Sequence, residues 1–139
     1  MNSAVQHRLR TGSDICSVER ISRVYQRYGS RFLDKILTSA EKIYVCSKAG
    51  KGNSTRCHAR MTESIAGRFA AKEAIAKALG TGWSGISWLE VEILNAESGA
   101  PSVVLHGRAA VLFAELKCKG IEISISHERE FAFAVALLY

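Results

Sequence analysis

A chain of 139 residues, 47% hydrophobic and 23% charged, is long enough for one hydrophobic core and has the composition of an ordinary globular domain. No apolar run approaches the roughly 18 residues that span a bilayer, and the first ten residues hold no apolar signal segment, so the expected location is the cytoplasm, with no membrane partner. The formal net charge of +6 calls for an anionic partner or a basic soluble surface. Cys16, Cys46, Cys57 and Cys118 form no CxxC pair, so free thiols are expected rather than a zinc site.

In chain order, His7 to Ile15 is predicted as a first strand ending on Gly12-Ser13-Asp14-Ile15. Ser17 is placed to cap a helix running to Tyr28, with Glu19 in its first turn and Val18, Ile21, Val24, Tyr25 and Tyr28 on its apolar face. Arg20, Arg23 and Arg27 make a basic stripe on that helix, with no acidic residue four positions on to balance it. Arg31 continues the charge beyond Gly29, and the stripe suits an acidic partner. Phe32 to Leu37 is expected as a short apolar link. Thr38-Ser39-Ala40-Glu41 fits a capping box that opens a short helix to about Ser47. Lys48 to Ser54 is a loop with glycines and lysines but without P-loop spacing.

A long helix is predicted from Arg56 to Leu79. Glu73 and Lys77, four apart, share one of its faces, and Ala66, Ala70, Ala74 and Ala76 leave room for something large to approach the carboxylate. Trp88 to Leu94 alternates as a half-buried strand, with Leu89, Val91 and Ile93 on one side. A turn from Asn95 to Pro101 leads into Ser102 to Leu105, giving a hairpin. Gly107 to Lys117 is predicted helical. Ile121, Ile123 and Ile125 mark another strand, and the nearly all-apolar Phe131 to Leu138 suits a buried central one. The polar turn Ser126 to Glu130 joins the two. Helices and strands without strict alternation predict an α+β fold in one domain over residues 1–139, its largely antiparallel sheet packed against the long helix.

Three polar features stand apart: Asp14 at a strand end, Glu73 with Lys77 on the long helix, and Ser126-His127 at a hairpin turn. Two carboxylates from separate elements, if brought together, suit Mg²⁺, which takes oxygen ligands and completes its shell with water and phosphate. A lysine and several arginines nearby suit a diphosphate.

At these residues the chain resembles the bacterial holo-[acyl-carrier-protein] synthases, a branch of the 4'-phosphopantetheinyl transferases. The matching stretches are Gly12-Ser13-Asp14-Ile15 with Glu19-Arg20-Ile21, Phe32 through Glu41, Gly67 through Ala74 with Lys77, Gly80-Thr81-Gly82, and Ser124-Ile125-Ser126-His127. The resemblance implies that family's fold and its reaction, transfer of phosphopantetheine from coenzyme A to a serine of apo acyl carrier protein, in the service of fatty acid biosynthesis. Asp14 and Glu73 match the carboxylates that hold Mg²⁺, Lys77 matches the lysine placed near the diphosphate, and Glu73 and Lys77 are the candidate catalytic residues. Coenzyme A is expected to meet Lys72, Lys77, Gly99, Pro101, Ser126 and His127. The acidic carrier protein is expected to dock on Arg20, with Arg23, Arg27 and Arg31 added by helical spacing. Relatives of this length are homotrimers with sites between subunits.

Three departures and two rivals accompany the resemblance, the first being Ser13 where a small apolar residue is common. Ala100 stands where relatives often carry a lysine in the Gly-x-Pro turn, and Lys48 to Cys57 matches nothing specific. A basic nucleic-acid-binding domain would explain the charge, but the chain has no such motif and no interleaved exposed aromatics. A non-catalytic relative that only binds carrier protein would explain the match, but Asp14, Glu73 and Lys77 are all retained.

Overall fold

The computed structural model describes residues 9–50 and 54–139. Strand β1 (Arg10–Ser17) is followed by helices α1 (Val18–Tyr28), α2 (Ser30–Ile36), α3 (Ser39–Lys48) and α4 (Thr55–Leu79). A 3-10 turn (Trp88–Glu90) leads into β2 (Val91–Asn95) and β3 (Pro101–Leu105), and α5 (Gly107–Glu115) precedes β4 (Ile121–Glu128) and β5 (Phe131–Leu138). The order β1-β5-β4 makes a three-stranded antiparallel sheet, and β2 pairs with β3 as a separate antiparallel hairpin. The α+β class and its antiparallel pairing are as predicted.

Helix α4 is the axis. Ile65, Ala66, Ala70, Ala71, Ala74, Ile75 and Ala78 are all buried, because the helix is covered by the sheet on one side and by other elements around it. Small residues set the separation. On β5, Ala132, Ala134 and Ala136 are fully buried against it. On β1, a Cβ at Gly12 would fall 2.0 Å from the Ala74 carbonyl oxygen, so the strand backbone lies directly on the helix backbone.

Several predicted boundaries change for physical reasons. Residues 7 and 8 of the predicted first strand lie outside the described residues, as do 51–53 of the Lys48 to Ser54 loop. The expected apolar link is helix α2: Leu33 and Ile36, three apart, both point into the core, a helical spacing. Trp88 to Glu90 is a 3-10 turn rather than strand, because Ser87 and Glu90 close a capping box there. That turns Leu89 outward, 42% exposed, while Val91 and Ile93 stay buried. Helix α5 stops at Glu115, and Lys117 takes a positive φ of 57°. The predicted Thr38–Glu41 capping box is present in full.

Strand β5 is central, as predicted, but only one of its faces is buried. Phe131 and Phe133 look away from α4 and are 45% and 43% exposed. They share that face with Ile15 of β1. All four cysteines are free thiols. Among the described residues no helix is long and apolar enough to cross a membrane.

Candidate active site

Where β1 crosses α4, alternate strand residues face the helix in turn. Arg10 donates from Nε to the Ala78 carbonyl at 2.7 Å, satisfying an orphan carbonyl at the helix C-terminus. Gly12 lets the backbones touch beside Ala74 and Ala78. Asp14 comes next on that face and meets Lys77, whose Nζ lies 2.8 Å from Asp14 Oδ1 and 2.9 Å from the Ser13 carbonyl oxygen. Cys16 follows, buried at 1% exposure.

Glu73 stands one helical turn before Lys77 on the same row of α4. Its carboxylate is half-buried and has no hydrogen bond or ion pair among the described residues. Burial pushes the Cys16 thiol pKa up; Arg20 opposes this by hydrogen bond and charge, and Asp14 and Glu73 reinforce it. Lys77 joins Asp14 and stands one turn from Glu73, so the two carboxylates flank one lysine. No group of three or more His, Cys, Asp or Glu side chains converges for a metal among the described residues. A two-carboxylate donor set fits Mg²⁺, which keeps waters and takes further ligands from phosphate, and does not fit a closed zinc site.

A cleft of about 350 Å³ lies along the N-terminal half of α4, between it, α3, the β2–β3 hairpin and β4. Its walls include the cations Lys48, Arg60 and Arg68 against the carboxylate of Glu63, so it is cationic on balance. Gly99 and Pro101 line it as expected. His127 lies over Gly67, where a Cβ would fall 2.6 Å from the imidazole Nε2. That Nε2 is 3.0 Å from the Glu63 carbonyl oxygen; a carbonyl only accepts, so Nε2 donates a proton to it.

Two expectations about this cleft need correction. Ser126 and His127 are not in the hairpin turn: β4 continues through Glu128, and Arg129, with φ of 45°, begins the reversal. Neighbours on a strand face opposite ways, so His127 and Ile125 face the cleft while Ser126 stands across from Phe133 on the far side of the sheet. Lys72 does not reach the cleft. Its side chain has no exposed surface, and its three donors are spent on the Ile36 carbonyl (2.6 Å), Glu41 Oε2 (2.8 Å) and the Trp88 carbonyl (2.9 Å). Burial pushes the Lys72 pKa down, and Glu41 opposes the shift. No proton of Lys72 is left for a phosphate.

Arg68 was not among the predicted site residues, yet it forms the floor of the cleft. It donates from Nη1 to Ser64 Oγ at 3.0 Å and from Nη2 to Asn95 Oδ1 at 2.6 Å, and its Cζ sits 4.2 Å from the centre of the Tyr44 ring. Its Nε is buried and has no partner among the described residues. Burial pushes its pKa down from the usual arginine value. Asn95 in turn donates to the Gly99 carbonyl at 3.0 Å, which ties Arg68 to the Gly99–Pro101 turn. The sequence signal was Ser64 four residues before an arginine inside the Gly67–Ala74 motif; Asn95, a hairpin residue, carried none.

The arginine stripe of α1 is exposed, but it is not uniform. Glu19, four residues before Arg23, approaches it to 3.8 Å, an exposed pair of little energetic weight. Arg20 lies 5.7 Å over the ring of Phe69, one turn before Glu73, which places it at the active-site end of the stripe. Arg31 borders a separate groove with Val24, Tyr28, Phe32 and Lys35. Phe69 packs on Trp88 (4.8 Å between centroids) and Trp88 stacks on Trp83 (3.9 Å), so both tryptophans belong to an aromatic row beside α4.

The family profile of the 4'-phosphopantetheinyl transferase superfamily matches residues 10–136. Holo-[acyl-carrier-protein] synthases of Gloeobacter violaceus and Protochlamydia amoebophila are 38% and 45% identical over 126 and 127 residues. These alignments cover 90% and 91% of this chain and 88% and 93% of the relatives. The Helicobacter pylori holo-[acyl-carrier-protein] synthase in complex with coenzyme A superposes with a TM-score of 0.75 at 32% identity, over 93% of this chain and 99% of that one. The Plasmodium yoelii acyl carrier protein synthase with ADP bound gives 0.78 at 31%, over 93% of each chain. Fold, motif order and relatives agree: the chain belongs to the 4'-phosphopantetheinyl transferase superfamily, in its holo-[acyl-carrier-protein] synthase branch.

Proposed function

We propose that this chain transfers the 4'-phosphopantetheine group of coenzyme A to a serine hydroxyl of apo acyl carrier protein, giving holo acyl carrier protein and adenosine 3',5'-bisphosphate, for fatty acid biosynthesis. The observation that carries this reading is the meeting of Asp14 with Lys77 one turn from Glu73, beside a cationic cleft. The serine oxygen bonds to the β-phosphorus of the diphosphate, the bond from that phosphorus to the bridging oxygen breaks, and the bisphosphate leaves with the electron pair. Asp14 and Glu73 would hold Mg²⁺, which when bound neutralises diphosphate oxygens. Lys77, half exposed, adds positive charge where the leaving phosphate becomes more negative. His127 and Arg68 belong to the nucleotide end, where Arg68 offers a guanidinium to phosphate. Glu73, unpaired among the described residues, is a candidate to receive the serine proton, though a metal ligand is a weaker base.

The same reading assigns the exposed Arg20, Arg23, Arg27 and Arg31 to the acidic carrier protein, whose encounter they would steer. It assigns the exposed Ile15, Phe131 and Phe133 face to contact between copies in a homotrimer with shared sites, in the cytoplasm. Ser126 stands on that face beside Phe133, so any place it has at a site depends on the second copy.

The direct test is the mass of an apo acyl carrier protein after incubation with this chain, coenzyme A and Mg²⁺, with a chelator control. A gain of one phosphopantetheine group, abolished by chelator, is expected. No gain with several carrier proteins would sink the transferase reading and leave a carrier-binding relative.

A further inference from the structure

We propose that the buried Glu41–Lys72 pair is a positioning device for the coenzyme A cleft, acting through Arg68; this rests on the reading of that cleft given above. Both side chains are fully buried. The pair is completely satisfied: besides the three bonds from Lys72, Glu41 Oε2 accepts from the Thr38 N–H at 2.8 Å and Glu41 Oε1 accepts from the Ile93 N–H at 2.9 Å. Buried ion pairs are weak contributors to stability, because desolvation offsets their attraction and apolar packing can do as well. What this pair supplies beyond stability is where it attaches.

Each attachment lies one structural repeat from a residue that grips Arg68. Lys72 is four residues after Arg68 on α4. Glu41 is three residues before Tyr44 on α3, and Tyr44 presents its ring to the guanidinium. Ile93 is two residues before Asn95 on β2, and Asn95 accepts from Arg68. Thus one carboxylate–ammonium pair locks α4, α3 and β2 together, and the same three elements form the walls around one guanidinium. A planar guanidinium recognises phosphate only in a defined orientation, so a small shift of any wall is felt as lost affinity. Lys77 is held to β1 through Asp14, and none of the pair's hydrogen bonds reaches β1. Loss of the pair therefore acts on coenzyme A binding and leaves the chemical step.

The test uses the full chain at a temperature where circular dichroism shows each variant folded, with coenzyme A binding measured by calorimetry and transfer measured at steady state. Lys72→Met is expected to raise Kd and KM for coenzyme A about tenfold, a size typical of coupled neighbours. Its kcat should stay within about twofold and its KM for carrier protein unchanged. Glu41→Gln, which keeps shape and one acceptor, should shift the same way by less, and it serves if Lys72→Met does not fold. Arg68→Met is expected to weaken binding, and adding Lys72→Met to it should bring no further loss. Folded Lys72→Met and Glu41→Gln with wild-type affinity, or losses that multiply with Arg68→Met, would overturn the proposal alone. A wild-type chain that does not bind coenzyme A would overturn the reading of the cleft and the proposal with it.

Discussion

Lys77 Nζ lies 2.8 Å from Asp14 Oδ1, across 63 residues of sequence. Gly12, having no side chain, lets the β1 backbone lie on α4 just before that contact. The contact brings a cation and a carboxylate together one helical turn from Glu73.

Glu73→Gln and Asp14→Asn should each lower transfer by on the order of a hundredfold or more, as loss of charge stabilisation at a reacting centre does. Stability should hardly move. Glu73 has no partner among the described residues to lose, and the Asp14–Lys77 pair is half exposed on the lysine side, so its loss costs well under about 1 kcal/mol. Single-turnover rates beside thermal melts check both halves; wild-type turnover in either variant would remove the metal assignment.

Two glycines should separate fold from binding. Gly12→Ala places a methyl 2.0 Å from the Ala74 carbonyl oxygen, backbone against backbone, and should destabilise by about 3 kcal/mol, the upper end of overpacking costs. Gly67→Ala meets the tip of His127 at 2.6 Å and Ile125 Cγ2 at 3.0 Å, and the imidazole can swing aside. It should cost less stability but release His127 from the Glu63 carbonyl and weaken coenzyme A binding. Denaturant melts and calorimetry on the two variants would show the opposite rankings; equal effects would refute the division.

Much of this arrangement was legible in the sequence, and the limits are physical. Local signals were reliable: the Thr38–Glu41 box, the Ser17 cap and the Gly80 terminus all stand where residue chemistry put them. Asp14 and Lys77 meet one helical turn from Glu73, a meeting that the sequence by itself left open. What could not be read was direction and depth. Lys72 and Glu73 are adjacent letters, yet one points into the core and the other outward, because successive helical residues are about 100° apart. Ser126 and His127 part in the same way on a strand. Arg68 looked like surface charge; its burial depends on Tyr44 and Asn95, which only tertiary packing brings to it.

Charge reversal on α1 should change association with carrier protein alone. Arg27→Glu is fully on the exposed face and is expected to raise KM for the carrier protein several-fold at low salt, with KM for coenzyme A unchanged. The difference from wild type should shrink as ionic strength rises and the Debye length falls to about 8 Å or less. A salt-independent effect would argue against electrostatic steering.

Acid should loosen the β2–β3 side of the molecule first. Glu92 has a depressed pKa because the Thr38 hydroxyl donates to its carboxylate, with His106 assisting at 3.2 Å. Glu90 is depressed by backbone N–H donors of Ser87 and Arg108, which its carboxylate joins across the start of α5. A carboxylate whose native pKa lies below its unfolded value adds stability that is complete above the unfolded pKa and lost as pH falls through the native one. Melting temperature should therefore decline as pH drops through and below the ordinary carboxylate range. Glu92→Gln should flatten that decline, since it removes one proton-linked group and keeps an acceptor for Thr38. A Glu92→Gln chain with the wild-type slope of melting temperature against pH would show that the Thr38 contact contributes nothing to acid sensitivity.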